Sequence, residues 1–214
     1  METQLTNNRY VQYGCGFSAP TSWRNFDASP TLRFERLPLI GKLYTKNAMR
    51  FPENVQFGDI VTGLPVDDGS CKAIYCSHVL EHLSLEDFRV ALANTHRMLE
   101  KGGLFRLVVP DLTHAVSKYC ADLSPEASLL FMRETGLGLE KRSRNLRGFI
   151  FQWLQNGQHL WMWDFKAMVP ELEKAGFVDI RRATLGDSSD LMFKDVEHES
   201  RWTDCLGIEC GKRS

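Results

Sequence analysis

The stretch from Lys72 to Val109 constrains the fold more than any other part of the chain. It reads as an apolar run from Lys72 to Cys76, a helical pattern, and a second apolar run from Leu104 to Val109. Ser84-Leu85-Glu86-Asp87 offers a helix N-cap followed by acids in the first turn, where the helix dipole favours negative charge. Phe88, Ala91, Leu92, Thr95 and Met98-Leu99 then recur at helical spacing, and Lys101-Gly102-Gly103 predicts the stop. Two strands joined by one helix form the unit of a parallel sheet, because strands running the same way need a crossover between them.

Further short apolar runs at Arg9 to Tyr13, Asn25 to Ala28, Val55 to Phe57, Phe177 to Leu185 and Leu206 to Cys210 bring the expected strands to seven. The alternation predicts an α/β chain, a Rossmann-like doubly wound sheet with helices on both faces and ligands at the carboxyl ends of its strands. Residues from about 112 to 164 are mostly helical in pattern and longer than a crossover needs, so we read them as a helical lid inserted into a single domain spanning 1–214. The lid carries the basic cluster Lys141, Arg142, Arg144 and Arg147, and Trp153, Trp161 and Trp163 crowd near Gly157. The guanidinium groups suit an anionic acceptor.

With 43% hydrophobic and 25% charged residues the chain can bury a sizeable core. A formal charge of −1 gives no extended basic track for a phosphate backbone, so nucleic acid is not the expected partner. The six cysteines form no CxxC pair and suit a reducing compartment. No basic-then-apolar leader opens the chain and no run of about 18 apolar residues occurs, so the expectation is a cytoplasmic protein with no membrane partner.

Tyr13-Gly14-Cys15-Gly16 ends the first strand in two glycines, which let the backbone turn sharply and approach a ligand closely. Asp27-Ala28 ends the second, with a carboxylate able to accept hydrogen bonds from both ribose hydroxyls of a nucleoside, or to cap Ser29-Pro30. The acid follows the glycines far sooner than the roughly 20 residues of a dinucleotide fold, which disfavours an NAD-dependent oxidoreductase and leaves little room for a first helix. Asp59 and Ile60 follow the third strand, where they would meet an adenine amino group and ring, and Ser77-His78 follow the fourth.

In order, Gly14-Cys15-Gly16, Asp27, Gly58-Asp59-Ile60, Ser77-His78-Val79-Leu80-Glu81-His82-Leu83 and Arg97-Met98-Leu99-Glu100-Lys101-Gly102-Gly103 resemble the motifs of class I methyltransferases of the type 11 kind, over roughly residues 9 to 111. Asp164 to Phe177 and Leu206 to Cys210 resemble that family's later helix, sixth strand and antiparallel last strand. The resemblance implies S-adenosylmethionine as cofactor, with Tyr13, Gly14, Cys15 and Gly16 at its methionine portion, Asp27 and Ala28 at the ribose, Asp59 and Ile60 at adenine, and Ser77 and His78 near the sulfonium. It implies methyl transfer to oxygen or nitrogen of a small-molecule or glycan-like acceptor. A non-catalytic binding subunit of the same fold is the other alternative to the oxidoreductase. The compressed stretch from Phe17 to Asn25 departs from the family, where a full helix is usual.

A base for a hydroxyl acceptor would come from His78, Asp111, His114, His159 or Asp164, and His159, His78 and Asp111 are the preferred candidates. His78-Val79-Leu80-Glu81-His82 also spells an inverted zinc-protease signature, but it starts at a strand end rather than inside a long helix. Some similar quinone-biosynthesis methyltransferases are thought to hold a divalent metal with the residues aligned to His78, Glu81 and His82. Here the expectation is that Glu81 and His82 cap the following helix and that no metal is bound.

Overall fold

The strand-helix-strand unit read from sequence is the centre of the molecule. The computed structural model describes residues 9–38, 49–140 and 158–214. β1 (Tyr10–Tyr13), β2 (Arg24–Asp27), β3 (Val55–Phe57), β4 (Cys71–Ser77), β5 (Leu99–Pro110), β6 (Phe177–Ala183) and β7 (Cys205–Lys212) form one sheet in the order β3-β2-β1-β4-β5-β7-β6. Only β7 runs antiparallel to its neighbours, as expected. The order reverses between β1 and β4, which makes their carboxyl ends the place for a ligand.

The described helices are α1 (Pro30–Glu35), α2 (Leu85–Met98), α3 (Leu112–Ala121), α4 (Ala127–Glu134) and α5 (Phe165–Lys174). Ser84 caps α2 by accepting from Asp87 N, Asp111 caps α3 from Thr113 N, and Asp164 caps α5 from Ala167 N. The helix stop lies earlier than the Gly102-Gly103 pair implies. Leu99 is already extended, and Lys212 of β7 donates to the carbonyls of His96 and Leu99, satisfying the end of α2 from outside. Lys101-Gly102-Gly103 instead forms an irregularity in the pairing of β5 with β4. Gly103 is needed there because a Cβ would sit 2.9 Å from the Cys71 carbonyl oxygen.

The two sheet faces are covered differently. Val11, Ile74, Cys76, Phe105, Leu107 and Ile208 meet Phe88, Leu92, Met168 and Leu172 of α2 and α5 in an apolar core. On the other face no helix joins β1 to β2, as the short spacing predicts. Trp23, Phe193 and Val196 pack on Tyr10, Tyr75 and Val108 there, the last two supplied by the connection between β6 and β7. That connection lies across the carboxyl edge of the sheet, because β6 ends and β7 begins on that side. No described helix is long and apolar enough to cross a membrane, and all six cysteines are free thiols.

The cluster Lys141, Arg142, Arg144 and Arg147, with Trp153 and Gly157, lies outside the described residues. At the ends of the stretch read as a lid, α3 and α4 follow β5, and Trp163 bridges Asp111, with Leu112 N donating to the Trp163 carbonyl.

Candidate functional site

Gly14 and Gly16 both take left-handed backbone angles, φ 68° and 55°, so the turn after β1 favours glycine twice. Gly16 N donates to Asp27 Oδ2 at 2.9 Å, and Ser29 N donates to Asp27 Oδ1 at 2.8 Å. The carboxylate at the end of β2 therefore faces the glycine turn and also organises the entry to α1. Asp59 is partly exposed and accepts from Val61 N. Ser77, buried at the end of β4, closes the same edge.

Several residues nominated from sequence offer only backbone. Tyr13 is buried in the main core with its hydroxyl against Thr95. Cys15 packs with Leu32, Phe51 and Val55, where burial pushes its thiol up to about 12. Ile60 is likewise core, and Ala28 is exposed just beyond β2.

Sequence reading missed two residues of this edge, Arg201 and His198, because both come from the β6–β7 connection, far along the chain. Arg201 Nη1 donates to the Ser77 carbonyl at 3.4 Å, and the Arg201 guanidinium lies 3.6 Å from where a Gly16 Cβ would be. His198 Nε2 and Ser18 Oγ are 2.8 Å apart. Together with Gly14, Ser77 and others these residues enclose a cavity of only about 10 Å³. Val79 fills the space beside Gly14, where a Cβ would meet its Cγ2 at 2.0 Å.

A much larger cavity, about 420 Å³, opens next to it between the ends of β4 and β5 and the helices α3 and α4. His78, Asp111, His114, Lys118, Thr135 and His159 are among its lining. His78 has φ 54°, uncommon for a residue with a side chain and a mark of a tightly determined turn. Its contact with the Cys205 sulfur, and then Glu81, push it up to about 10. Burial pulls His159 below the usual histidine value.

Each nominated base has other contacts in this geometry. His78 Nε2 is 3.0 Å from the Arg201 carbonyl and its Nδ1 is 3.2 Å from Glu81 Oε1. His159 Nδ1 is 2.7 Å from the Thr135 carbonyl and its Nε2 is 3.9 Å from Glu81 Oε1. Each ring has one nitrogen on a backbone carbonyl and the other turned toward Glu81. Asp111 caps α3 and lies 3.5 Å from Arg182 Nη1. Asp164 is a helix cap, and His114 faces Asp204 at 3.5 Å on the surface. Helix capping by Glu81 and His82 is also overturned, since Ser84 performs it; Glu81 is fully buried instead.

Comparison with known proteins agrees with the fold and the glycine turn. Residues 12–107 match the model of a family described as "Methyltransferase domain". That stretch is the one over which the motifs resemble class I methyltransferases of the type 11 kind. Among solved structures it resembles a SAM-dependent methyltransferase from Thermotoga maritima, a possible histamine N-methyltransferase. The two are 17% identical with a TM-score of 0.50, over 96% of this chain and 82% of that one. It also resembles a phosphoethanolamine N-methyltransferase of Haemonchus contortus in complex with S-adenosyl-L-methionine, at 12% identity and TM-score 0.50, covering 98% of this chain and 49% of that one. These likenesses concern the fold. No curated protein matches the sequence.

Proposed function

We propose that the protein transfers a methyl group from S-adenosylmethionine to an oxygen or nitrogen of a small-molecule or glycan-like acceptor. The observation that carries the reading is the Asp27 carboxylate facing the Gly14–Gly16 turn at the reversal point of this sheet order. A carboxylate has about four lone-pair sites, so Asp27 can keep its two backbone donors and still accept from two ribose hydroxyls. The Arg201 guanidinium lies beside the turn and would hold the methionine carboxylate, a role the compressed β1–β2 connection leaves open. Asp59 would meet the adenine amino group.

When bound, the cofactor supplies an activated methyl group, so the protein has chiefly to align the acceptor with it. The 420 Å³ cavity beside Ser77 and His78 is the space for that acceptor. The donor chemistry around Asp27 fits the cofactor, whereas the 10 Å³ of free space does not. Binding therefore requires the Arg201 and His198 side chains to turn outward, breaking their contacts to the Ser77 carbonyl and Ser18. The small cavity also favours a second reading, a binding subunit without turnover.

Calorimetry with S-adenosylhomocysteine and with NAD separates the readings. We expect saturable binding of S-adenosylhomocysteine alone, weakened by about 1–3 kcal/mol in Asp27→Ala, with a thermal melt checking that the variant folds. Binding of NAD in its place would support the oxidoreductase, and binding of neither would leave the non-catalytic subunit.

A further inference from the structure

We propose that Glu81, His82 and His159 form a binding site for a divalent metal ion of the zinc type. Glu81 sits in a single 3-10 turn, Leu80–His82, at the end of β4, and is 0% exposed. Neither of its carboxylate oxygens has a hydrogen-bond partner among the described residues. A buried carboxylate left in that state is costly unless a cation accompanies it.

The surrounding imidazoles face it with acceptors, not donors. A backbone carbonyl can only accept, so a ring nitrogen beside one must carry the proton. His82 Nδ1 lies 3.1 Å from the Gln158 carbonyl and His159 Nδ1 lies 2.7 Å from the Thr135 carbonyl. Both rings, as neutral imidazoles, therefore turn the lone pair of Nε2 inward, 4.0 and 3.9 Å from Glu81 Oε1. His78 stands apart from these two: its Nε2 faces the Arg201 carbonyl and its Nδ1 pairs with Glu81 Oε1 at 3.2 Å. Glu81 Oε2 and the two inward lone pairs are left converging with nothing between them, an arrangement that a positive ion at the centre would complete.

This is the arrangement in which a metal-ligating histidine is oriented by its second nitrogen. The ligand atoms of Glu81, His82 and His159 all lie within 4.8 Å of one another. Bonds of about 2.1 Å in a tetrahedral site separate ligand atoms by about 3.4 Å, so the Glu81–histidine pairs need to close by about 0.5 Å. Two imidazoles and one carboxylate suit a borderline ion such as zinc and leave a coordination position open. His159 lines the large cavity, so an acceptor oxygen or nitrogen there could complete the shell.

The backbone holds the set together. Leu160 N and Trp161 N both donate to the Glu81 carbonyl, and His159 N donates to the Gly136 carbonyl. Gly136 has φ 66°, and a Cβ on it would lie 2.9 Å from His159 Nδ1. The ligand set thus differs from the helix-spaced trio visible in the sequence: His159 joins it only through the fold.

The test needs neither cofactor nor acceptor, so it stands apart from the methyltransferase reading. Untagged full-length protein, stripped with chelator and dialysed, is titrated with Zn²⁺ alone by calorimetry. We expect one ion per chain, with affinity lowered on the order of 100-fold in Glu81→Gln, His82→Ala and His159→Ala, and unchanged in His114→Ala. If Glu81→Gln does not fold, the two partly exposed histidines decide the question. Absence of saturable equimolar binding, or its retention in the His82→Ala/His159→Ala double variant, would overturn the site.

Discussion

The two faces of the sheet solve the same burial problem with different chemistry. On the face covered by α2 and α5 the strands present Val11, Ile74, Phe105, Leu107 and Ile208, and the covering side chains are equally apolar. On the opposite face the same strands present Gln12, Asn25, Arg106 and Glu209, all buried. The reason lies in what covers them. A helix satisfies its own backbone, so it can lie on a purely apolar surface. Irregular chain cannot, and its carbonyls must find donors.

The polar strand residues supply those donors. Gln12 Nε2 donates to the Ser18 carbonyl and to Asn25 Oδ1, and Asn25 Nδ2 donates to the carbonyls of Pro20 and Trp23. Arg106, 0% exposed, donates to the Thr184 carbonyl and binds Asp187, Glu197 and Glu209. Against the cost of its own burial, Arg181 and Arg106 hold the Asp187 carboxyl well below its usual range. Arg106 also lies over the Trp202 ring at 4.7 Å. One guanidinium thus ties the β6–β7 connection to the sheet, and with it Arg201 and His198 at the cofactor edge.

The comparison predicts its largest effect at Arg106. Arg106→Met leaves Glu197 buried without its cation and Glu209 with Arg181 alone, and should cost about 3–5 kcal/mol in urea unfolding. A loss below about 1 kcal/mol would mean that the apolar face alone holds the molecule. Next comes Trp23→Phe, which keeps the contacts with Tyr10 and Phe193 but deletes the 3.1 Å bond from Nε1 to the Met192 carbonyl. A loss of about 1 kcal/mol is expected, and no loss would show that the connection's carbonyls do not depend on side-chain donors.

The smallest effect belongs to the helical face, where charge sits at the rim. Arg89 and Lys174 hold Glu171 down from 4.5 to about 2. A depressed folded-state value contributes stability that is present above the unfolded value and lost as pH falls through the folded one. That contribution should fade between about pH 4.5 and 2, and Arg89→Ala should flatten the fall. Arg89 is half exposed, so solvent screens the pair and the effect at neutral pH should be the smallest of the three. An unchanged acid profile in Arg89→Ala would assign the acid sensitivity to the Arg106 network instead.

The seven strands were legible because each is a short apolar run bounded by glycine, proline or charge, and the missing first helix because too few residues separate Gly16 from Asp27. The Gly14–Gly16 turn and Asp27 were legible as backbone and charge at strand ends. Their closeness, with Gly16 N on Asp27, follows from the parallel register of β1 and β2. The helix stop was misplaced because Lys212, which satisfies the end of α2, is more than a hundred residues away. The contacts of the nominated bases were hidden for a related reason: a histidine in sequence carries no sign of which carbonyl will take its proton.

Periodicity and spacing, then, determined the seven strands, the helix between β4 and β5 and the strand ends that carry the glycine turn and Asp27, because these depend on local backbone preference and on which side of each element is apolar. Tertiary structure alone decided that Arg201 and His198 close that edge, that Arg106 is buried among carboxylates, and that Glu81 meets His82 and His159. Each of those depends on side chains brought together across long stretches of chain, up to 180 residues for Ser18 and His198, and electrostatic pairing at such separations leaves no period or spacing in the sequence to read.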